Sequence, residues 1–555
     1  MKKKQFWFLF AGCWILTILS MLPYLGDSLS LEHDTLFHLS RIEGLAQSFQ
    51  SGKIIPDIYP FKNDGFGYAS ALFYCDLFLV PAALLYNAGL GVAVCYKITV
   101  FLASFFSCAS MMLLIWTLTH STYPSLLAGM LYLFCNYRIT DVYVRGALGE
   151  VIAFVFLPLI LLGAYELLYE KEAKIHWLIT GFTGLALSHN LTLFLGCLGF
   201  GCMLIVCYRQ LNKTRLIQLV KAVFITIGLS AFFLFPMLEQ TFFQKYYLHY
   251  YAANTDLASH ALMPWQYLSN QIVFGFSGNS FQPDEAMVVT PGIALLTLPV
   301  LSLFILDRKK DNVSSFIHHC RNLGYFFAFL CCAVLPWELF VFLRILQFPW
   351  RFMTLACPLL CVSASTVLFE LFRKKYIVPY IVMTLVMINS LFLLKQCFDR
   401  PLVIYNNTTY QELLSGDIID PYFAGTSYNR IEVAGADYLP MGFLDYKNAS
   451  HCITDLSGDE ISCDIQKDDS FTFNAPKNTE IVVPLTAYKG YHVYADDEEI
   501  QWTTYLGRIS INTENHTQFK IFYEKTSIHK LSLILSLITL SISLFSHIFK
   551  SKKHH

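Results

Sequence analysis

The feature that most constrains this chain is a succession of apolar runs, each about 20 residues long, along most of its length. A run of that length can cross the hydrocarbon core of a bilayer as a helix. Charged residues make up 14% of the 555 residues, whereas soluble globular proteins contain about 25%. The sequence therefore predicts an all-α polytopic membrane protein.

The candidate spans can be placed by hydropathy. The first run follows the basic start MKKK, and no A-x-A-like cleavage site comes after it, so we interpret it as an uncleaved anchor helix. Clear candidates begin near Phe6, Ala93, Val151, Arg215, Val289, Leu323, Phe352, Tyr376 and Lys530, and shorter ones cover 123–136, 175–188 and 191–207.

The apolar stretch 69–89 is ambiguous by hydropathy, and the basic residues decide its interpretation. Cytoplasmic loops of membrane proteins are enriched in Lys and Arg. If this stretch does not cross, the loops KEAKIH, YRQLNKTR, DRKKDN, HHCRN and FRKK and the tail KSKKHH all lie on the side of MKKK. We therefore predict a re-entrant or juxtamembrane element at 69–89, about 12 transmembrane helices and cytoplasmic N- and C-termini.

This topology divides the chain into three predicted parts. A transmembrane catalytic domain covers 1–395, with a first exported loop at 27–68 and a long exported loop at 239–288. Segment 396–526 alternates apolar and polar residues between Gly and Asp/Asn turns, which predicts an extracytoplasmic β domain. A final helix and basic tail cover 527–555. Cys452 and Cys463 share the polar segment and could form a disulfide, which the sequence leaves open.

The first exported loop contains the run LEHDTLFHLSRIEGLA. His38 and Arg41 follow Asp34 at helical spacing, i+4 and i+7, so one face of a helix would carry all three. The opposite face would carry Leu36, Leu39, Ile42 and Leu45. This pattern predicts an amphipathic helix that lies at the membrane interface.

Ionisable groups from four exported loops gather on this one membrane face. The candidates are His33, Asp34, His38 and Arg41 in the first loop, Asp141, Arg145 and Glu150 in the second, His189 in the third, and Arg344, Gln347 and Arg351 in the last. Each also has a structural interpretation, since polar residues often anchor helix ends at the interface. Their joint position favours function, because arginines suit a phosphate at headgroup level and a carboxylate suits deprotonation of a hydroxyl.

The sequence gives little support for a nucleotide-binding, nucleic-acid-binding or metal-binding site. The sequence contains no Walker loop, no GxGxxG after a strand and no CxxC pair, and we predict no nucleic-acid partner. The exported loops offer few clustered carboxylates, so we predict no cofactor and do not favour a divalent metal. Loop 239–288 contains Phe242, Phe243, Tyr246, Tyr247, Tyr250, Tyr251 and Trp265. With 69–89 these aromatics would form a lipid and sugar groove, although interfacial enrichment of Tyr and Trp explains them equally well.

A family resemblance adds to this interpretation. The run HDTLFHLSRIEGLAQSFQSGKIIPDIYPFKNDGFGYASALFY resembles the first exported loop of bacterial GT-C glycosyltransferases. The most similar group is the YfhO-like family, together with the membrane family described as related to pyruvoyl-tetrahydropterin synthase. DVYVRGALGEVIAFVFLPLILLG and LQFPWRF resemble further segments of that group, and LTAYKGYHVYADDEEI resembles its C-terminal β domain. Nothing in the sequence suggests pterin chemistry.

The resemblance implies a GT-C-like fold and an inverting hexosyl- or related transferase in a bacterial plasma membrane. The donor would be a sugar on undecaprenyl phosphate, and the acceptor a cell-wall or surface polymer such as teichoic acid or polysaccharide. Asp34 matches the acidic residue that acts on the acceptor, and Arg145 and Arg351 match family arginines. Many members carry a paired acidic motif where this chain has Glu32, His33 and Asp34.

Two other functions stay open at the level of sequence. A transporter or flippase of lipid-linked sugars would carry charges along a path to the membrane midplane, whereas here they cluster at one face. A non-catalytic cell-envelope assembly protein would use the same fold to bind a lipid without transferring a sugar.

Overall fold

We analysed a computed structural model of the chain. It describes residues 2–552 except 27–28, 31, 64, 279–285, 306–310, 373–376, 399–403, 406–435, 446–451, 462–465 and 468–469. Helices dominate the part of the chain before residue 397, and strands dominate the region from 454 to 523.

The helices follow the apolar runs. They are α1 Lys3–Ser20, α2 Thr35–Gln50, α3 Ser70–Phe73, α4 Val80–Asn87, α5 Val92–Thr119, α6 Thr122–Leu133, α7 Asn136–Thr140, α8 Leu148–Ala153, α9 Leu157–Leu168, α10 His176–Ala186, α11 Asn190–Val206, α12 Lys213–Phe243, α13 Tyr247–Asn254, α14 Ile293–Thr297, α15 Ser302–Ile305, α16 Asn312–Leu330, α17 Met353–Phe372, α18 Ile377–Gln396 and α19 Ser527–Lys552.

Five helical segments within the described residues are long and apolar enough to cross a membrane. They are Val92–Thr119, Leu148–Leu168, Lys213–Phe243, Pro349–Glu370 and Ser527–Phe545. Their length and composition confirm the prediction of apolar helices that fit a membrane. The larger number of spans and the cytoplasmic position of both termini stay predictions.

Two segments show how local sequence shapes this pattern. The stretch 69–89 contains α3 and α4, and the longer of these has 8 residues, which is about 12 Å of helix and shorter than the bilayer core. Helix α16 begins at Asn312, ahead of the apolar run in which a span was predicted to begin near Leu323. The Asp311 carboxylate accepts the Ser314 N–H at 2.7 Å and caps the helix. The basic run HHCRN thus lies inside α16 instead of in a loop.

Contacts divide the chain into two compact units. The first comprises Met1–Ile42, Leu77–Ile227 and Ala252–Tyr410, and the second comprises Glu43–Asp76, Gly228–Tyr251 and Gln411–His555. The second unit therefore combines the C-terminal region with two segments from the first half of the chain. The predicted domain boundaries at residues 395 and 526 were placed by hydropathy. The two units are instead defined by contacts between residues, so their boundaries differ.

The second unit contains two antiparallel sheets. Strands β1 Leu29–Ser30 and β2 Ile404–Tyr405 belong to the first unit. The described strands of the second unit are β3 Thr454–Asp455, β4 Gln466–Lys467, β5 Phe471–Asn474, β6 Glu480–Thr486, β7 Tyr491–Ala495, β8 Glu498–Ile500, β9 Thr503–Tyr505, β10 Arg508–Asn512 and β11 Gln518–Tyr523. The sheet orders are β3-β6-β10-β9 and β4-β5-β11-β7-β8. Alternate side chains such as Ile481, Ile509 and Phe519 form their buried core. This confirms the predicted C-terminal β region, while Cys463 lies outside the described residues.

One part of the predicted aromatic groove is wrong. Tyr246 is fully buried in the second unit, where its ring lies 4.7 Å from that of Phe73. Its hydroxyl donates to the Gln240 side chain at 3.3 Å. Since both ends of the side chain are occupied by the protein core, Tyr246 cannot line a groove, although Phe242 on the same segment is 84% exposed.

Candidate functional site

Helix α2 begins at Thr35, immediately after Asp34, and confirms a helix at the predicted place. Its predicted position at the membrane interface stays a prediction, whereas both of its faces are buried in the protein. Leu39 and Ile42 are buried, but His38 and Arg41 are also only 2% and 3% exposed. The Arg41 guanidinium reaches the His38 ring nitrogen Nδ1 at 3.1 Å, one turn away. The polar face can be buried because its groups bind partners inside the protein.

Backbone hydrogen bonds hold the first loop against the second within the first unit. The Asp34 N–H donates to the Arg145 carbonyl at 2.8 Å, and the His33 N–H donates to the Val144 carbonyl at 3.3 Å. The buried Glu32 carboxylate accepts hydrogen bonds from Ser30 at 2.7 Å and from Thr35. Glu32 therefore anchors the loop, and Asp34 is the carboxylate left at the start of the helix.

Gly146 allows this close approach. It follows a single π-helical turn, Asp141–Arg145, and has a φ of +60°. A Cβ atom at this position would lie 2.6 Å from the Thr35 hydroxyl and 2.9 Å from the Glu32 Cβ. Only glycine combines the left-handed backbone with so little space.

We therefore expect Gly146→Ala to lower the free energy of unfolding by about 2–4 kcal/mol, through backbone strain and the clash with Thr35. Thermal unfolding in detergent would measure this loss. Gly201→Ala is the matched control, because a Cβ there meets no atom within 4 Å. Equal stability of the two variants would contradict the role assigned to Gly146.

Arg145 joins two buried carboxylates. Its Nη1 donates to Asp141 and, at 2.8 Å, to Glu150, and its guanidinium lies 4.6 Å from the centre of the Trp350 ring. The second Glu150 oxygen accepts the Thr354 hydroxyl at 2.6 Å. All of these ion-pair groups are buried. Both carboxylates therefore depend on Arg145 as their ion-pair partner.

Arg351 is another buried cation near Glu150. It lies in the turn Pro349–Phe352, is 7% exposed and packs beside the rings of Phe348 and Trp350, at 5.3 and 5.8 Å. Its Nε and Nη1 groups have no hydrogen-bond partner among the described residues. A buried donor without a partner costs about 1–3 kcal/mol, so such donors in a native site call for a partner, which can be a water molecule, an ion or a ligand. A guanidinium with two open N–H groups fits a phosphate or carboxylate.

Asp34 lies near both arginines in a half-buried position. Its carboxylate accepts no hydrogen bond from the part of the chain that the structure describes. Burial raises the pKa of Asp34 above its ordinary value, although the positive charges of Arg145 and Arg351 partly oppose this effect. A carboxylate with free acceptor positions and a raised pKa can take a proton from a bound hydroxyl.

The histidines of the site are neutral at pH 7. Burial and the nearby Arg145 lower the pKa of His33 to about 4, and the His33 ring stacks on Phe276 at 4.7 Å. Burial also lowers the pKa of His189 to about 3, and its Nδ1 lies 2.7 Å from the Thr192 hydroxyl. They can therefore orient a sugar or phosphate by hydrogen bonds without adding charge.

No described hydrogen bond or ion pair joins two of the predicted residues, Arg344 and Gln347, to this cluster. Arg344 donates to the Ala253 carbonyl at 3.0 Å, and Gln347 occupies a turn position with a φ of +62°. Tyr137 and Thr354, both of which hydrogen-bond to Glu150, were not predicted from the sequence. The spacing of Thr354, three residues after Arg351 at the start of α17, was the available signal for one of them.

The structure thus defines a helical protein with apolar helices that could cross a membrane, a C-terminal β region and a buried cluster of ion pairs beside open arginine donors. No family model matches the chain. A protein from Lactococcus lactis subsp. cremoris (strain MG1363), described as uncharacterized, is 27% identical over 237 residues. The match covers 40% of this chain and 38% of that protein, so it spans well under half of the relative.

Proposed function

We propose that this protein transfers a sugar from a polyprenyl-phosphate carrier to a hydroxyl group of a cell-envelope glycopolymer, at the outer face of a bacterial plasma membrane. The observation that carries the proposal is the buried Arg351 guanidinium, with two N–H donors that have no partner among the described residues. A phosphate oxygen pair would accept both bonds. The resemblance of the first loop to GT-C glycosyltransferases supports the same donor class.

In the proposed reaction, Asp34 accepts the proton of the acceptor hydroxyl while that oxygen attacks the anomeric carbon. The bond between the anomeric carbon and the phosphate oxygen breaks, with inversion, and polyprenyl phosphate leaves. Arg351 stabilises the negative charge that develops on the phosphate. Arg145 is already paired with Asp141 and Glu150, so it acts on this charge from a fixed position.

A non-catalytic lipid-binding protein would also need a cation for the phosphate. It would not need a carboxylate with open acceptor positions beside that cation. Asp34 accepts no side-chain hydrogen bond from described residues, and burial raises its pKa. No described contact therefore gives the ionised carboxylate a structural role. This favours the transferase over the assembly protein.

The experiment supplies purified protein with a panel of radiolabelled polyprenyl-phosphate sugars and a cell-envelope polymer fraction. We expect transfer from one donor and a loss of about 100- to 1000-fold in Arg351→Gln. Arg344→Gln is the matched control, because Arg344 binds only the Ala253 carbonyl in the described contacts and we expect near wild-type transfer. Donor binding without transfer by the wild type would favour the assembly protein and contradict the proposal.

We also expect kcat/KM to rise with pH as Asp34 loses its proton. The base works in its ionised form, and burial raises the pKa of Asp34, so the acidic limb should lie above the ordinary aspartate value of about 3.9. A pH–rate profile between pH 4 and 9 measures this limb. It should be absent from the residual activity of Asp34→Asn, and a wild-type rate that falls with rising pH across this range would contradict the assignment.

A further inference from the structure

The five-stranded sheet of the second unit has a face that the transfer reaction does not use. Phe473, Phe519 and Val493 point into the buried core between the sheets. Side chains alternate along a strand, so their neighbours point to the opposite face. On β7 and β11 these neighbours include His492, Tyr494 and Phe522, all of them half-buried.

The three rings form a continuous aromatic strip across two paired strands. Phe522 stands opposite His492 in the register of β11 and β7. Its ring lies 5.7 Å from that of Tyr494, with 15° between the planes, and 5.7 Å from that of His492, with 21° between the planes. Their planes are therefore nearly parallel. The face of an aromatic ring is negative and attracts the weakly positive C–H groups of a pyranose face.

Polar side chains border this strip. A groove of about 630 Å³ over the sheet is lined by Tyr494 and Phe522 and by Asn474, Asp497 and Lys520. This volume lies within the range of about 300–1000 Å³ that is usual for ligand sites. Amide, carboxylate and ammonium groups beside aromatic rings can bind hydroxyl groups, whereas an acyl chain or an apolar helix would leave them without partners.

The charges of the groove narrow the class of ligand. Its lining includes Asp496, which is paired with His516 at 3.0 Å, together with Asp497 and Lys520, and His492 is paired with Glu499 at 2.6 Å on the neighbouring strand. Asp497 and Lys520 offset each other, so the lining has no excess of positive charge to attract a chain rich in phosphate or carboxylate. A glycan without acidic groups needs no such charge.

We propose that this face, defined by His492, Tyr494 and Phe522, binds an uncharged glycan chain. Sugar rings would stack on the aromatic strip, and their hydroxyl groups would bind Asn474 and Asp497. The inference rests on the proposed function in one respect, namely that such a chain is the acceptor that the protein elongates or decorates. Binding itself requires no transfer and can be measured alone.

The test titrates the full-length protein in detergent with three tetrasaccharides and follows binding by microscale thermophoresis. The probes are the β-1,4-linked tetramer of N-acetylglucosamine, cellotetraose, and tetragalacturonate as the acidic comparison. We expect a neutral tetrasaccharide to bind and Tyr494→Ala and Phe522→Ala each to weaken it about tenfold, through lost stacking. Tyr494→Phe and Phe522→Tyr keep a ring and should keep the affinity. Tyr505→Ala, on the four-stranded sheet, is the control.

Three results would overturn the inference. These are no binding of any neutral tetrasaccharide, equal affinity in the alanine variants and Tyr505→Ala, and tighter binding of tetragalacturonate than of the neutral chains. Sugar transfer is measured separately with Asp34→Asn, which should still bind the glycan. If the wild type binds the glycan but transfers no sugar, the proposed function is contradicted, whereas the proposed glycan-binding face is still supported.

Discussion

Replacement of Asp34 by Asn should reduce sugar transfer by about 100- to 10,000-fold, the range usual for loss of a general base. The amide has nearly the shape of the carboxylate but cannot accept the acceptor proton at neutral pH. Transfer from the preferred polyprenyl-phosphate sugar, measured at saturating donor, gives the size of the loss.

The fold should survive this change. The Asp34 carboxylate accepts no side-chain hydrogen bond from the described residues, and burial raises its pKa, so the ionised form costs stability at neutral pH. We therefore expect the Asn variant to unfold at the same temperature as wild type or higher. Asp256→Asn, at an exposed aspartate of the first unit, should keep full transfer. If Asp34→Asn transfers sugar as well as this control, Asp34 is not the base.

Replacement of Arg145 by Met should destabilise the protein by about 3–5 kcal/mol, because it leaves the Asp141 and Glu150 carboxylates buried without their cation. Methionine keeps much of the apolar volume, so the loss reports mainly on charge. Unfolding in detergent, followed by circular dichroism against temperature or denaturant, measures it.

Two comparisons separate charge from packing in that result. Arg344→Met removes a partly exposed arginine and should cost less than about 1 kcal/mol. Neutralising both carboxylates as well, in the triple variant Asp141→Asn, Arg145→Met, Glu150→Gln, should recover part of the stability, since no buried charge is then unpaired. If the Arg145 and Arg344 variants are equally stable, the buried ion pairs do not support the fold.

Hydropathy was sufficient to predict the long apolar helices and the C-terminal β region. The helix periodicity of LFHLSRI and the alternation of EIVVPLT are local properties, and α2 and β6 lie where they indicate. Where the prediction was wrong, a contact overrode hydropathy. The Asp311 side chain caps α16, so this helix begins ahead of the apolar run. Tyr246 packs against the ring of Phe73 and is buried in the core of the second unit.

The candidate residues could be proposed from the sequence alone, because a charged side chain inside a membrane is energetically costly. The prediction included Asp34, Arg145 and Arg351 but also Arg344, since all are polar groups in loops predicted to be exported. It could not say which arginine was already satisfied.

Tertiary structure alone made that distinction. Arg145 is ion-paired with Asp141 and Glu150, Arg344 donates to a backbone carbonyl, and Arg351 has two buried nitrogens without a partner among the described contacts. The hydrogen bonds that join Asp34 to Arg145, and Thr354 to Glu150, connect residues more than 100 positions apart. Sequence periodicity reports on neighbours within a few residues, whereas the partner of a buried charge depends on packing between distant segments.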